Sequence, residues 1–220
     1  MVSNLNKLLW LVSTGEFEGV IALLRRWLYS DATATGLARS LETPIAARRP
    51  RQPLSVRPIA PDEREAFTAI GDARGEAALV RTNARHLLMT GIQTCYVAVM
   101  DDGTPVYMQF LIEPGQNGRL GDAFGDLMPP LAPDEALLEF AFTLEQYRGV
   151  GAMPAVVPQL ALKARDHGAR RLVTWVPDRN QAVLRYFERI GFVRFATRKE
   201  RYRLFRRTIR FEPTAPAARS

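Results

Sequence analysis

Hydrophobic positions near the N-terminus recur at helical spacing. They form one apolar stripe on a helix predicted over residues 16–29, and they are Phe17, Val20, Ile21, Leu24, Trp27 and Leu28. We expect this stripe to pack against the rest of the protein and to bury its face of Phe17, Ile21, Leu24 and Trp27. Because Arg25 and Arg26 adjoin the stripe, an anionic membrane surface or a partner is the alternative.

A polar stretch with arginine and proline, residues 46–53, shows no hydrophobic periodicity and is typical of a linker. It divides the chain into a helical N-terminal extension, residues 1–45, and a main domain, residues 54–211. Residues 31–40 of the extension show no clear period. Residues 212–220 are predicted to form a disordered tail.

The main domain alternates strand patterns with helix patterns. Helical periodicity extends to about Thr90, and two later helical segments end near Gly168 and Gly191, since glycine commonly follows the last turn of a helix. The predicted strands cover residues 54–59, 95–100, 106–112, 136–143, 171–176, 192–195 and 201–211. This order predicts a mixed α/β fold with a largely antiparallel sheet flanked by helices.

Composition narrows the class of protein. Of the 220 residues 47% are hydrophobic, which is enough to bury a full core. A single cysteine, Cys95, and two histidines exclude a disulfide framework and a cysteine-rich zinc site, so we expect no metal. No apolar run approaches the roughly 20 residues of a membrane span and no signal-peptide pattern is present, which favours a cytoplasmic protein.

The formal net charge of +7 is concentrated at one end of the chain. Residues 194–220 contain nine of the 30 Lys and Arg and two of the 23 Asp and Glu, which leaves 21 of each sign elsewhere. Basicity confined to a tail makes no strong case for nucleic acid, and solvated strand edges explain it as well.

The segment EQYRGVGAMP, residues 145–154, joins a predicted strand to a predicted helix. The first amides of a helix have no partners within the helix and point the same way as its dipole, so the turn is predicted to bind an anion. Gly149 and Gly151 let the backbone approach a phosphate closely. A dinucleotide, a nucleoside triphosphate, coenzyme A and a purely structural turn are the competing interpretations.

Two of these ligands fit poorly. A nucleoside triphosphate fails because no Gly-Lys-Ser/Thr sequence follows at the required spacing. A dinucleotide is disfavoured because Pro154 stands where the third small residue of that fingerprint should pack helix on strand.

Further motifs favour coenzyme A. The turn YRGVGAM, the segment NQAVLRYFERIGF at residues 180–192, the opening LSVRPIAPDE and the hairpin YVAVMDDGTPVYMQF together resemble the GNAT superfamily of acyl-CoA-dependent N-acyltransferases. The resemblance covers residues 54–211. It implies a GNAT-like acyltransferase fold and acetyl-CoA as the acyl donor.

The resemblance also implies where coenzyme A binds. In such proteins the strand before the turn splays from the next strand, and the pantetheine arm lies in the gap as an added strand would. By resemblance this arm is lined by Phe142, Thr143 and Leu144, and Asn180 lies near the thioester, with helix capping as its alternative role. The amides that would hold the pyrophosphate are those of Arg148, Gly149, Val150, Gly151, Ala152 and Met153, the last standing where the family has a small residue.

The catalytic residues are less clearly indicated. Phe187 occupies the position where many relatives carry a tyrosine as general acid, and Tyr186 next to it points about 100° away around the helix. Glu135 and Glu139 are four residues apart on a strand, so both face one side and either is a candidate base for the amine. Structural roles are the alternative for both.

These observations predict an N-acyltransferase that moves an acetyl or other short acyl group from coenzyme A to an amine. The acceptor is not identified by the sequence. The alternative is a catalytically weak GNAT-like module that binds acyl-CoA or a partner, which Phe187 and Met153 favour. A third possibility, a nucleic-acid or anionic-membrane binder, rests only on the basic tail and the N-terminal helix.

Overall fold

The computed structural model describes residues 2–214 apart from residues 14, 47–49, 70, 72, 75 and 93. The strands are β1 Tyr29–Ser40, β2 Leu54–Pro58, β3 Cys95–Met100, β4 Pro105–Ile112, β5 Glu135–Thr143, β6 Arg171–Pro177, β7 Val193–Arg203 and β8 Arg206–Pro213. The α-helices are α1 Val2–Ser13, α2 Phe17–Leu28, α3 Arg64–Thr68, α4 Glu76–Met89, α5 Asn117–Phe124, α6 Ala152–Asp166 and α7 Gln181–Arg189. Among the described residues no helix is long and apolar enough to cross a membrane.

One eight-stranded sheet runs through the molecule in the order β2-β3-β4-β5-β6-β1-β7-β8. Strands β5 and β6 pair in parallel, and the other ladders between described strands are antiparallel. The predicted mixed α/β fold with a largely antiparallel sheet is therefore confirmed, and helices α1 and α2 precede the sheet as expected.

Strand β1 is the main departure from the prediction, which placed residues 29–40 in a helical extension. It lies between β6 and β7 and pairs with both. All five residues from Ala34 to Ala38 are buried, because neighbouring strands flank β1 and both faces of the sheet are covered. A strand buried on both faces loses the alternation of polar and apolar residues, which is why residues 31–40 show no period. The segment before the linker thus contributes a strand to the main sheet.

Gly36 leaves room for two aromatic rings, one from each strand that flanks β1. A Cβ atom on Gly36 would lie 2.9 Å from ring atoms of both Trp175 and Phe195. Those two rings meet edge to face, with centroids 5.4 Å apart. The absence of a side chain at Gly36 is therefore what lets the rings cover the strand.

Helix α2 forms where the stripe predicts it, but it packs by a different face. Phe17 is 68% exposed and Ile21 49% exposed, whereas Gly19 and Leu23 are buried. The prediction that Phe17, Ile21 and Leu24 are buried is wrong, and Trp27 is only half-buried. The close approach of α1 is the cause, since a Cβ on Gly19 would lie 3.0 Å from Leu11 Cδ2.

Two apolar layers hold the sheet. On one face α6 and α7 pack on residues that include Leu138, and on the other face α3, α4 and α5 pack on residues that include Leu137. Adjacent residues of β5 enter opposite layers because side chains alternate along a strand. Cys95 is buried in the second layer.

Helix α6 is continuous through Pro158 and ends before Gly168, which has a positive φ of 97° as a glycine cap requires. Its start follows directly from the turn that ends β5. The fold therefore places the predicted anion-binding turn at the end of a strand held between two core layers.

Candidate active site

Strands β5 and β6 diverge partway along their length. Their parallel ladder joins Glu135–Leu138 to Arg171–Thr174 and stops there, although β5 continues to Thr143 and β6 to Pro177. Beyond this point β6 pairs with β1, and β5 pairs with β4. A gap between adjacent strands, which the resemblance implies, is present in the sheet.

A bulge at Phe140 turns β5 away from β6. Phe140 has a φ of 51°, unusual for a residue with a side chain, and the β4–β5 register shifts between Met108 and Phe110. An extra residue on one strand bends that strand. A backbone conformation of this kind costs about 1–3 kcal/mol and commonly marks a functional site.

The backbone of Thr143 faces the gap. The Leu144 amide donates to the Val106 carbonyl at 3.0 Å, so Leu144 and Phe142 direct their backbone groups toward β4. Backbone groups of successive residues point to opposite sides of a strand, which leaves those of Thr143 directed at the gap. Of the three residues predicted to line the pantetheine arm, Phe142 and Leu144 have side chains buried in the core.

The turn after β5 carries four backbone amides without partners. Those of Gly149, Gly151, Ala152 and Met153 donate to no group in the part of the chain that the structure describes. Gly149 and Gly151 have φ values of 88° and 84°, and Gly151 is the N-cap of α6 without a side-chain cap. Amides of this kind at a helix N-terminus bind anions.

Two of the six predicted amide donors are used inside the turn. The Arg148 amide donates to the Glu145 carbonyl at 3.3 Å, and the Val150 amide donates to the Tyr147 carbonyl at 3.4 Å. The set of unpartnered amides, which we call the amide socket, is thus smaller than predicted. It consists of the two glycines and the first two residues of α6.

The linker touches this turn. The Arg51 amide donates to the Val150 carbonyl at 3.1 Å, and Pro50 Cα would lie 3.5 Å from a Cβ on Gly151. The Arg51 side chain is exposed. The linker therefore braces the turn from outside while its arginine adds positive charge nearby.

Glu139 lies where the strands begin to diverge. Leu137 pairs with Val173, so Glu139 and Trp175, two residues further on, face the same side of the sheet. One carboxyl oxygen of Glu139 is shielded from solvent and has no hydrogen-bond partner among the described residues. Burial raises the pKa of Glu139 to about 7, against the lowering effect of the Arg198 guanidinium and the Phe140 amide. The group can exchange a proton near neutral pH.

Arg198 on β7 is the nearby cation. It donates to the Leu127 carbonyl at 2.8 Å, and its guanidinium carbon lies 5.5 Å from the centroid of the Trp175 ring. Burial lowers the pKa of Arg198, and the carboxylates of Glu139 and Glu200 oppose that change. Neither Arg198 nor Trp175 was found from the sequence, because no local pattern links β7 to β5.

Glu135 occupies a different environment from Glu139. It forms an ion pair with Arg171 and accepts from the Ala132 amide at 3.1 Å. It stands at the paired end of β5, about 13 Å along the strand from Glu139. The structure therefore separates the two candidate bases, and the Glu135 carboxylate is engaged by Arg171 and by the Ala132 amide.

Tyr186 and Phe187 lie as the helical spacing predicts. Phe187 is buried in the layer under α6 and α7, and Tyr186 packs half-buried on the same layer with its ring edge to face against Phe187. The Tyr186 hydroxyl is shielded from solvent. Burial raises the pKa of Tyr107, and the charge of an ionised Tyr186 would raise it further. Buried Tyr107 donates to Gln109 Oε1 at 2.8 Å, a polar pair that the sequence did not indicate.

Asn180 caps helix α7. Its side-chain oxygen accepts from the Val183 amide at 3.4 Å, and the residue is exposed. The alternative role given to Asn180 is thus present in the structure, and a role beside a thioester stays a prediction.

The sequence profile of the acetyltransferase (GNAT) family matches residues 63–192, more than half of the chain. The chain belongs to this family. The GNAT match includes the bulged strand, the turn and α7, whereas β1, β7 and β8 lie outside the matched range. No curated protein matches the chain.

Solved structures share the GNAT fold at low sequence identity. A Drosophila protein is 13% identical with a TM-score of 0.50, and the match covers 89% of this chain and 56% of that one. A GCN5-related N-acetyltransferase from Sphaerobacter thermophilus is 15% identical with a TM-score of 0.50, again covering 89% and 56%. A GCN5-related glucosamine N-acetyltransferase region of a fungal multi-domain β-N-acetylglucosaminidase is 16% identical with a TM-score of 0.56, covering 79% and 21%. The chain spans about half the length, or less, of these structures, and the likeness shows the fold alone.

Proposed function

We propose that this protein transfers an acetyl or other short acyl group from coenzyme A to a primary or secondary amine. The observation that carries the proposal is the set of four unpartnered amides at Gly149, Gly151, Ala152 and Met153, next to a strand that has separated from its neighbour. The amides suit the diphosphate, and the Thr143 backbone suits the pantetheine arm. The thioester then lies between β5 and β6, close to the bulge.

Glu139 is the proposed base. Its carboxylate accepts a proton from the acceptor ammonium, directly or through a water molecule, and the neutral amine attacks the thioester carbonyl carbon. The carbon–nitrogen bond forms and the carbon–sulfur bond breaks, so the coenzyme leaves as a thiolate. The nitrogen, positively charged after the attack, loses a second proton, and one proton ends on the thiol, which leaves a neutral amide and free coenzyme A. Because the pKa of Glu139 is about 7, the base is formed as the pH rises through neutrality.

We propose Tyr186 as the residue that protonates the thiolate. Tyr186 is the residue of α7 with a hydroxyl on the core side, since Phe187 has none. Loss of a general acid costs less for a thiolate than for a more basic leaving group, so proximity of the two substrates supplies most of the remaining rate. We therefore expect Tyr186→Phe to lower kcat/KM by less than the roughly 10²-fold minimum that loss of a general base causes.

The second candidate function is a module that binds acyl-CoA without turnover, and the buried Phe187 favours it. Thiol release from acetyl-CoA, measured over a panel of amino sugars, small amines and peptide N-termini, separates the two. Release that depends on an amine supports the transferase. Thermal stabilisation by coenzyme A with no release on any amine supports the binding module, and absence of stabilisation contradicts both.

A further inference from the structure

Helix α2 presents its apolar stripe to solvent. Phe17, Ile21, Leu24 and Leu28 are all exposed, from 38% to 68% of each residue. They recur at i, i+4, i+7 and i+11, so they lie on one side of the helix over about 16 Å. Single exposed apolar residues are common, but a full helical stripe is not.

The hairpin between β7 and β8 adds two more apolar residues at the end of this stripe. Leu204 and Phe205 form its tip and are 74% and 61% exposed. The Leu204 amide donates to the Leu28 carbonyl and the Phe205 amide to the Trp27 carbonyl, each at 2.8 Å. These bonds join the tip to the last turn of α2, and we call the combined surface the α2–hairpin patch.

The backbone at the tip is strained. Leu204 and Phe205 have φ values of 47° and 65°, a conformation that two-residue hairpin turns normally give to Asn and Gly. The chain therefore combines an unfavourable backbone with two apolar side chains in water. The two hydrogen bonds to α2 offset the backbone strain in part. They do not account for two apolar side chains exposed to water at the tip, and this exposure is what points to a contact outside the molecule.

The rim of the patch carries both signs of charge with an excess of cations, since exposed Glu18 lies seven residues before Arg25 on the same side of α2. Arg25 and Arg206 are exposed and form no ion pair with any residue that the structure describes. Arg203 lies over the ring of the exposed Tyr29, with the guanidinium carbon 3.8 Å from the ring centroid, and it also forms an ion pair with Asp31 at 2.7 Å.

We propose that the α2–hairpin patch docks on an anionic lipid bilayer. Helix α2 lies in the plane of the interface with its stripe in the acyl boundary, Leu204 and Phe205 insert at one end, and Arg25 and Arg206 contact lipid phosphates. A helix face and a hairpin tip project outward, and a fluid interface receives projecting side chains without a preformed pocket. This inference is independent of acyl transfer.

Vesicle co-sedimentation of the full chain tests it. We expect binding to phosphatidylcholine vesicles that contain about 30% phosphatidylserine, little binding to phosphatidylcholine alone, and loss of binding at high salt. The double variant Leu204→Asn, Phe205→Gly removes the apolar tip and supplies the residues that the turn prefers. It is expected to fold at least as well as the wild type and to bind anionic vesicles at least about tenfold more weakly.

Met89→Ser is the matched control, since Met89 is 70% exposed but lies at the end of α4 outside the patch. It is expected to leave vesicle binding unchanged. Absence of binding by the wild type would overturn the proposal, as would equal losses in the double variant and the control. Concentration-dependent dimers that disappear in the double variant, without vesicle binding, would instead assign the patch to self-association.

Discussion

The two halves of the sheet differ in how they are built. The half formed by β2 to β6 carries the splayed strand and the turn, and its elements follow one another along the chain. The other half joins β1, from before the linker, to β7 and β8 from the C-terminal end. In our proposal the first half binds coenzyme A. The second half supplies Arg198, which lies over the Trp175 ring of β6 and whose charge acts on Glu139. In our proposal, the residues that bind the acyl donor are therefore close together in the sequence, whereas Arg198 beside the proposed base comes from a distant segment.

The base on the first half should give the largest effect. Glu139→Gln removes the proposed proton acceptor and is expected to lower kcat/KM by about 10²- to 10⁴-fold. Its fold should be at least as stable above pH 7, because ionising a carboxyl whose pKa is raised works against folding. Thiol-release kinetics and thermal unfolding at two pH values measure both. A loss of activity below tenfold would remove Glu139 from the mechanism.

Gly36 tests whether the second half depends on β1. Gly36→Ala places a Cβ 2.9 Å from the rings of Trp175 and Phe195, and we expect a loss of about 1–3 kcal/mol in the free energy of unfolding. Gly118→Ala is the control, since nothing lies within 4 Å of its added carbon and its helix gains from alanine. Denaturant unfolding compares them. Equal stability of the two variants would show that the rings do not require the glycine.

Met153 tests the amide socket. Met153→Pro removes one unpartnered amide without breaking a hydrogen bond, in the first helical turn where proline is tolerated. We expect coenzyme A to bind about tenfold more weakly, the cost of one charge-assisted hydrogen bond. Met153→Ala keeps the amide and should bind at least as well as the wild type. Calorimetric titration of both variants with coenzyme A measures the two affinities. An unchanged affinity in Met153→Pro would contradict the role of that amide.

Arg198 joins the two halves electrostatically and gives the smallest effect. Its charge lowers the pKa of Glu139, so Arg198→Met should raise that pKa further. The base is then formed at higher pH, and the rising limb of the pH–rate profile should move upward. Arg201→Met is the control because Arg201 is exposed and paired with Asp31. An equal shift of the pH–rate profile in both variants would contradict a specific effect of Arg198 on the pKa of Glu139.

The turn was predictable because its signal is local. A strand, two glycines at positive φ and a helix start all lie within residues 135–166, and each has its own sequence pattern. The match of the family profile to residues 63–192 covers the same region.

Strand β1 was not predictable for a physical reason. Its buried centre is made of Ala34, Thr35, Gly36, Leu37 and Ala38, small residues for the most part, and burial on both faces removes the alternation that marks a strand. Its partners β6 and β7 are far along the chain, so no short window reveals the pairing.

The choice between Glu135 and Glu139 was also beyond the sequence. Both face one side of β5, and the spacing treats them alike. The two residues differ in their surroundings, because Glu135 lies within the β5–β6 ladder whereas Glu139 lies beyond its end and next to the Phe140 bulge. Both features depend on tertiary pairing. The exposed stripe of α2 shows the same limit, because periodicity locates an apolar face without saying what covers it.

A crystal structure of the protein with coenzyme A is the most direct test of the account. We predict diphosphate oxygens within hydrogen-bonding distance of the amides of Gly149, Gly151, Ala152 and Met153, and the pantetheine arm paired with the Thr143 backbone. A coenzyme bound elsewhere, or a gap between β5 and β6 closed by ladder hydrogen bonds, would contradict it.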